Sequence, residues 1–120
     1  MKVYKEGTEE VLYEVLQIID DHDPKLCCII CNTASGTLIS TTRYRKGLIH
    51  SIGAPAYEEF DEEGDLVMRV FYEKGLEHKL SGPSLEVWEK GIMVHSSQKI
   101  WGVDANDSSI QKHIEEIIGI

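Results

Sequence analysis

The sequence predicts an α+β fold: an antiparallel β-meander of about two and a half 28-residue repeats, flanked by an N-terminal and a C-terminal amphipathic helix. Two observations predict the meander. One stretch of the chain is written twice, and turn-forming glycines recur between short apolar segments. Apolar residues at three-to-four spacing near both ends predict the helices. The length of 120 residues suits one domain, 1–120, and an apolar fraction of 42% suffices for a core.

The duplicated stretch reads YRKGLIHSIGAPAYEEF at 44–60 and YEKGLEHKLSGPSLEVW at 72–88. The two align without gaps at an offset of 28, with seven identities in seventeen positions. The register extends back to Gly36 and Gly64, so the units are approximately 32–59 and 60–87. A third unit begins at Trp88, keeps the turn Glu89-Lys90-Gly91 and then decays, as end copies of stacked repeats do.

Residues 8–22 are predicted to form the N-terminal helix. Thr8 suits the N-cap, and Glu9 and Glu10 fall in the first turn, where the helix dipole favours carboxylates. An apolar face follows, made of Val11, Leu12, Val15, Leu16 and Ile19. Pro24 ends the helix because it disfavours a helical residue before it.

Residues 25–103 are predicted to form the β-repeat sheet. The apolar run KLCCIIC at 25–31 is typical of a buried strand, and each glycine turn after it suits a hairpin. Further strands are expected near 38–44, 48–52, 55–60, 66–73, 76–80, 84–88 and 92–95. A C-terminal helix at 108–118 is then predicted from a capping-box pattern, Ser108 with Gln111, and an isoleucine stripe closed by Gly119.

The repeated phrase, an aromatic residue followed by Lys-Gly-Leu-x-His and then Gly/Ala-Pro-Ala/Ser, resembles MORN-type repeats. It is most similar to the divergent GK-x-H-x-x-x-GPA variant of bacterial, phage and giant-virus proteins, and the resemblance covers about 32–101. It departs from that pattern in its longer period and in the loss of Gly-Pro from the third copy. The resemblance implies a meandering β-sheet used for protein contacts, and it transfers no catalytic residue.

Composition narrows the function classes. The net charge of −9 disfavours direct nucleic-acid binding because phosphate backbones repel an acidic chain. No apolar run is long enough for a membrane span, and the start lacks the apolar stretch of a secretion signal. An odd number of cysteines, three, argues against a disulfide framework. We therefore expect a cytoplasmic protein, in the host cytoplasm if a phage encodes it.

The segment YEEFDEEGD at 57–65 is the candidate partner-binding site. It contains Glu58, Glu59, Asp61, Glu62, Glu63 and Asp65. On an exposed hairpin these carboxylates are either ordinary solvated groups or a docking patch for an Arg- and Lys-rich surface. The expected partner is therefore a protein with a basic surface, and the sheet edges leave homo-oligomers open.

His50 and His78 stand at equivalent repeat positions and form the alternative candidate site. They could line one face and bind a small ligand or a metal, or serve in hydrolysis. The simpler interpretation is that each packs beside the next hairpin and bonds a backbone carbonyl. No repeated carboxylate or cysteine completes a ligand set, so no metal and no cofactor is predicted.

Two further groups have structural interpretations. Cys28 and Cys31 have dithiol spacing, but residues three apart in a strand point to opposite faces, so buried unreactive cysteines are favoured over a redox or zinc site. The repeated aromatic residues favour a cross-strand ladder over a base-stacking platform. They are Tyr44, Phe60, Tyr72, Trp88 and Trp101.

These observations together predict a non-enzymatic protein-interaction module. The repeat type suggests a small acidic phage or mobile-element protein that binds and inhibits a host factor, such as a nucleic-acid-handling defence enzyme. The alternative is a small-ligand-binding or hydrolytic protein that uses His50 and His78.

Overall fold

The computed structural model describes residues 1–19 and 25–106, and within these ranges it contains strands and no helix. The predicted α+β class is therefore wrong: the described chain is all-β. In chain order the strands are β1 Lys2–Tyr4, β2 Val11–Ile19, β3 Leu26–Thr33, β4 Leu38–Arg45, β5 Leu48–Ile49, β6 Tyr57–Phe60, β7 Leu66–Val70, β8 Tyr72–Glu73, β9 Leu76–Glu77, β10 Leu85–Glu89, β11 Ile92–Ser97, β12 Lys99–Ile100 and β13 Val103–Asp104.

The predicted antiparallel meander is confirmed. The main sheet has the strand order β1-β2-β3-β4-β6-β7-β10-β11, and β5 pairs with the end of β4. All neighbouring strands in it are antiparallel. The remaining strands form two small hairpins, β8–β9 and β12–β13, that leave the path of the main sheet.

The predicted N-terminal helix at 8–22 is wrong, because residues Val11–Ile19 form β2. This strand pairs with β3 through seven consecutive residue pairs, from Tyr13 opposite Thr33 to Ile19 opposite Cys27. Its β-branched and aromatic residues favour a strand, and apolar side chains on both faces of a strand can imitate helical spacing. The predicted C-terminal helix at 108–118 lies outside the described residues.

Four hairpins reverse direction through the same backbone conformation. In each, two successive residues have positive φ and the second is glycine: Lys46-Gly47, Lys74-Gly75, Lys90-Gly91 and Trp101-Gly102. The first residues have φ of 47–50° and the glycines 79–83°, as in type I′ turns, whose twist matches that of the flanking strands. Positive φ is unfavourable for the lysines and for Trp101, so contacts elsewhere must hold these turns.

The third copy of the repeat turns at Trp101-Gly102, not at the predicted Glu89-Lys90-Gly91, which closes the β10–β11 hairpin. The backbone N–H groups of His78 and Ala105 donate to the carbonyls of Phe71 and Gln98, both at 2.9 Å. These equivalent bonds show that the second and third copies are offset by 27 residues.

The missing residue lies in a hairpin loop. Five residues separate the paired Phe60 and Leu66, whereas four separate the paired Trp88 and Met93. A gapless alignment at an offset of 28 residues therefore no longer matches the third copy after this deletion. The β10–β11 hairpin is thus equivalent to β6–β7, and the small β12–β13 hairpin is equivalent to β8–β9.

The fully buried part of the sheet is small. Ala56 is 0% exposed and Val70 is 5% exposed, and they are the buried apolar residues among those described. The N–H of Ala56 donates to the carbonyl of Val70 at 3.0 Å, and its own carbonyl accepts from the N–H of Arg43 at 2.7 Å. Ser84, 28 residues later, is also 0% exposed. Both copies therefore place a small side chain where the loop returns to the sheet.

Among the described strands, β1 and β11 are the two outermost strands of the main sheet. Ile92, Met93 and Val94 of β11 expose about half or more of their surface. The pairing of β11 with β10 shifts at Val94, which marks a β-bulge, and bulges at edges discourage pairing with another chain. Assembly through the edges stays a prediction.

We expect Ala56→Leu to lower the free energy of unfolding by about 1–3 kcal/mol, because extra methylenes in a filled site force neighbours to shift. Ala34→Leu, in the exposed β3–β4 loop, is the matched control and should change stability by less than about 0.5 kcal/mol. Urea unfolding of both variants measures this. Equal midpoints for the two variants would show that the site at Ala56 has room.

Candidate functional site

Acidic side chains collect at one end of the main sheet. In an antiparallel meander every second connection lies at the same end, so β1–β2, β3–β4, β6–β7 and β10–β11 all turn there. The basic residues of these connections are Lys5 and Lys90. We call the exposed carboxylates of this end the acidic rim: Glu6, Glu9, Glu10, Glu62, Glu63, Asp65 and Glu89.

The opposite end of the sheet has the reverse balance among the described residues. Its bases are Lys25, Arg45, Lys46, Lys74, Lys79 and Lys99, and its acids are Glu73, Glu77 and Asp104. The described part of the chain is therefore polarised along its strands, which the net charge alone does not reveal.

The six predicted partner-binding carboxylates fall into two groups in the structure: those that bond other groups of the protein and those that are exposed. Glu58 is ion-paired, with its Oε1 3.1 Å from Nη1 of Arg43. Glu59 lies on the other face of β6 and accepts a hydrogen bond from the hydroxyl of Tyr57 at 2.8 Å. Burial, together with this bond, raises the pKa of Tyr57 to about 12. The exposed members of the predicted set are Glu62, Glu63 and Asp65.

Asp61, the sixth carboxylate, shapes the loop that carries the exposed three. Its Oδ1 accepts from the backbone N–H of Glu63 at 3.0 Å and of Asp65 at 2.9 Å. In the preceding copy Thr33 has the same place, and its Oγ1 accepts from the N–H of Thr37 at 3.0 Å. Carboxylate oxygens of Asp61, Glu63 and Asp65 lie within 4.8 Å of one another, so this tip concentrates negative charge.

Sequence reasoning missed the rim members outside 57–65. Glu9 and Glu10 were assigned to a helix start, and Glu89 to the turn of the third copy. The available signal was the alternation of connections: once Val11–Ile19 is a strand, the segment before it becomes a hairpin tip at the same end as 61–65.

The two repeated histidines join successive copies. Nδ1 of His50 accepts the backbone N–H of Lys74 at 2.9 Å, and Nδ1 of His78 accepts that of Trp101, also at 2.9 Å. Each donor is the first residue of the type I′ turn in the following copy. We call this pair of bonds the histidine clasp. The histidines were expected to bond a carbonyl, but the partner is an N–H, so Nδ1 is unprotonated.

Backbone bonds reinforce the clasp in both copies. The N–H of Gly75 donates to the carbonyl of Ile49, and that of Gly102 donates to Glu77, both at 2.9 Å. A Cβ at Gly102 would lie 3.4 Å from a methyl carbon of Leu76, close to the limit of ordinary contact. The glycine therefore serves both the positive φ and the close approach between copies.

His78 is more buried than His50. Its ring is 6% exposed and stacks on Trp101, with ring centroids 3.8 Å apart and planes 14° from parallel. Burial lowers the pKa of His78, since desolvation disfavours the imidazolium, and the carboxylate of Glu73 acts in the opposite direction. The neutral ring that the clasp requires is thus favoured by its surroundings.

Each clasp histidine lines a cleft on the same face of the sheet. The first cleft has a volume of about 540 Å³ and the second about 520 Å³. The first is lined by residues that include Ile18, Leu26, Arg43, Arg45, His50 and Ile52. The second is lined by residues that include Arg69, Phe71, Glu73, His78, Lys79 and Leu80. The two clefts are related by the repeat, and the structure brings the histidines to equivalent places rather than to one common site.

The other sequence candidates have simpler roles. The three cysteines are free thiols in β3, and Cys28 points to the face opposite Cys27 and Cys31. The ring stack recorded among the described residues is His78 on Trp101, not the expected aromatic ladder. Tyr44 and Phe60 point to opposite faces of the sheet, which prevents a continuous ladder.

Comparison with known proteins adds no identification. No protein-family model matches the chain, and no curated protein and no solved structure matches it. The resemblance to MORN-type repeats therefore stays a prediction. Within residues 1–19 and 25–106 there is no helix with the length and apolarity to cross a membrane.

We expect His78→Phe to lower the free energy of unfolding by about 1–3 kcal/mol, because the variant keeps a ring against Trp101 but leaves a backbone N–H without its acceptor. His95→Phe, at an exposed position of β11, is the control and should stay within about 0.5 kcal/mol of the original protein. Denaturant unfolding tests both. A His78→Phe protein as stable as the control would mean that the clasp contributes nothing.

The stability of the protein should also depend on pH through His78. Its folded-state pKa is lowered from the unfolded value of about 6.5, so the unfolded chain takes up the proton first. The stabilisation is complete above pH of about 6.5 and is lost as the pH falls through the lowered pKa. Unfolding midpoints measured between pH values of about 7.5 and 5 should fall more steeply for the original protein than for His78→Phe. Parallel pH curves would contradict this linkage.

Proposed function

We propose that this protein is a non-enzymatic interaction module whose acidic rim docks on the basic surface of another protein. The observation that carries the proposal is the gathering of seven exposed carboxylates at one end of the main sheet, six in connections and Glu89 at the end of β10, against Lys5 and Lys90. Such a concentration of one sign of charge attracts a partner of the opposite sign and accelerates their encounter.

The sheet fixes the spacing of these charges. Neighbouring strands are about 4.8 Å apart, so adjacent hairpin tips at this end lie about 10 Å apart and the four tips extend over about 30 Å. The carboxylates lie at three of these tips, and the β3–β4 tip carries none. Bonds within the β6–β7 loop, such as that between Asp61 and Asp65, hold its tip in one shape. A partner therefore meets a row of pre-positioned negative groups rather than a flexible acidic tail, which reduces the entropy lost on binding.

The proposed partner is a protein with a long basic surface. A groove that accepts the phosphates of a nucleic acid has this character, and an acidic rim of similar length can occupy it. In the setting that we propose, a phage or mobile element uses the protein to inhibit a nucleic-acid-handling enzyme of its host. The inhibitor acts by excluding the nucleic acid, and it needs no catalytic group of its own.

The histidines give less support to the hydrolytic alternative. Nδ1 of His50 and Nδ1 of His78 each accept a backbone N–H, which uses the lone pair that a general base at Nδ1 would need. Their repetition is accounted for by the histidine clasp.

We expect the triple variant Glu62→Gln, Glu63→Gln, Glu89→Gln to weaken partner binding by about tenfold or more, because it removes long-range attraction without changing side-chain size. A matched control neutralises carboxylates of the opposite end, Glu73→Gln with Asp104→Asn, and should bind like the original protein. Proteins captured from the source cell are identified, and their affinities for the three forms are measured with purified components.

Two further measurements complete this test: the salt dependence of partner binding and the activity of the captured enzyme. Charge-driven binding should weaken steeply between about 0.1 M and 1 M salt, as the screening length shrinks from about 10 Å to about 3 Å. A captured nucleic-acid enzyme should lose activity on adding the original protein and keep it with the triple variant. Binding that persists unchanged at high salt, or that the rim and control variants affect equally, would sink the proposal.

A further inference from the structure

We infer that the first cleft binds a small organic anion with an apolar body, held by Arg43 and Arg45 at its charged end. This site is separate from the acidic rim. The cleft lies where β3 begins and β4 ends, beside the connection that follows β5, whereas the rim is formed by the connections at the other end of the strands.

The first argument is the distribution of arginine. The chain has three arginines, and Arg43 and Arg45 both line the first cleft. They lie two residues apart on β4 and therefore point to the same face of the sheet. No aspartate or glutamate is among the described residues that line this cleft, although the chain has 21 acidic residues. Two guanidinium groups on one face, of which Arg43 is also paired with Glu58, are suited to carboxylate or phosphate oxygens.

Existing bonds position one guanidinium and leave the other available. Nη1 of Arg43 lies 3.1 Å from both the carbonyl oxygen of Pro55 and Oε1 of Glu58, so a single nitrogen makes both contacts and fixes the side chain. Within residues 1–19 and 25–106, its recorded hydrogen bonds and ion pair all use Nη1. Arg45 is exposed and has no ion-pair partner among residues 1–19 and 25–106.

His50 adds a donor. Its Nδ1 accepts the N–H of Lys74, so the proton of the neutral ring is on Nε2. The ring and the neighbouring Ser51 both line the first cleft. The clasp thereby holds the tautomer in which the second ring nitrogen is a donor, which suits an anion and not a cation.

Apolar side chains complete the pocket. Ile18, Leu26 and Ile52 line the first cleft, and its volume of about 540 Å³ is in the range of small-molecule sites, about 300–1,000 Å³. These residues would contact the uncharged part of the ligand. Inorganic phosphate alone would leave them in water, so an anion with an apolar body should bind more tightly.

The second cleft is a natural comparison because the repeat changes the arginines and keeps the histidine. The positions of Arg43 and Arg45 are taken there by Phe71 and Glu73. Phe71 is covered by Nζ of Lys79, 3.9 Å from the ring centroid. The second cleft therefore has a carboxylate in the place of Arg45. Its Arg69 is paired with Glu86 and its Lys79 lies over Phe71, so it should not bind the same anion.

The test is an NMR titration of the whole chain with 4-phenylbutyrate and with phenyl phosphate. Either anion should cause saturable shifts in the amide signals of 43–45 and leave those of 78–80, in the second cleft, unchanged. Ser51 lines both clefts, so its signal does not distinguish them. The matched amine, 4-phenylbutylamine, should cause none, and inorganic phosphate should bind more weakly. Arg45→Glu, which installs the residue type of the second copy, should weaken anion binding by about tenfold or more.

Controls separate a lost site from a lost fold. Arg45→Gln removes the charge without introducing repulsion and should also weaken binding, while unchanged amide signals in β6, β7 and β10 report an intact sheet. The inference fails if neither anion gives saturable shifts, if the amine binds equally, if both clefts respond alike, or if the Arg45 variants bind like the original protein. Variants of the acidic rim should leave the titration unchanged, so this result and the rim test fail independently.

Discussion

A hydrogen bond from a strained turn to a histidine in the preceding copy joins each small hairpin to the copy before it. The turns at Lys74 and Trp101 carry positive φ, which costs about 1–2 kcal/mol for a residue with a side chain. The acceptors are Nδ1 of His50 and Nδ1 of His78, so the conformation that the turn needs is also the one that joins it to its neighbour. Trp101 gains a further contact from the stacked ring of His78. This arrangement aligns the small hairpins of successive copies, and each of its histidines lines one of the two clefts.

The two faces of the main sheet have different chemistry, and the alternation of side chains along β6 shows how. Glu58 belongs to the cleft face, where Arg43 neutralises it, and Glu59 belongs to the other face, where it bonds Tyr57. The next copy repeats the pattern with Glu86, whose Oε1 lies 2.9 Å from Nε of Arg69. Neighbouring glutamates in an acidic segment therefore make different contacts on opposite faces of the sheet. The number of carboxylates in the segment exceeds the number that remain available to a partner.

The repeat could be recognised in the sequence because Lys-Gly in the turns and histidine in the clasp recur at a fixed interval. The equivalent turn of the third copy, Trp101-Gly102, could not be recognised because the β10–β11 loop before it is one residue shorter than the β6–β7 loop. The N-terminal strand was misread because Val11, Val15 and Ile19 satisfy a helical spacing, and only pairing with β3 decides between the alternatives. The acidic rim and the arginine cleft both join residues distant in the chain, so they needed the topology before they could be recognised.

The residue at the histidine position of the third copy differs from its two predecessors. Ala105 stands in the place of His50 and His78, and its methyl group has no lone pair to offer a following turn. Each histidine therefore bonds only the turn of the following copy, and within residues 1–19 and 25–106 two such bonds are formed. Adding or removing one whole copy would keep every remaining link intact while changing the width of the sheet by a fixed step. The width of such a sheet can therefore change by whole copies while the contacts between copies stay the same.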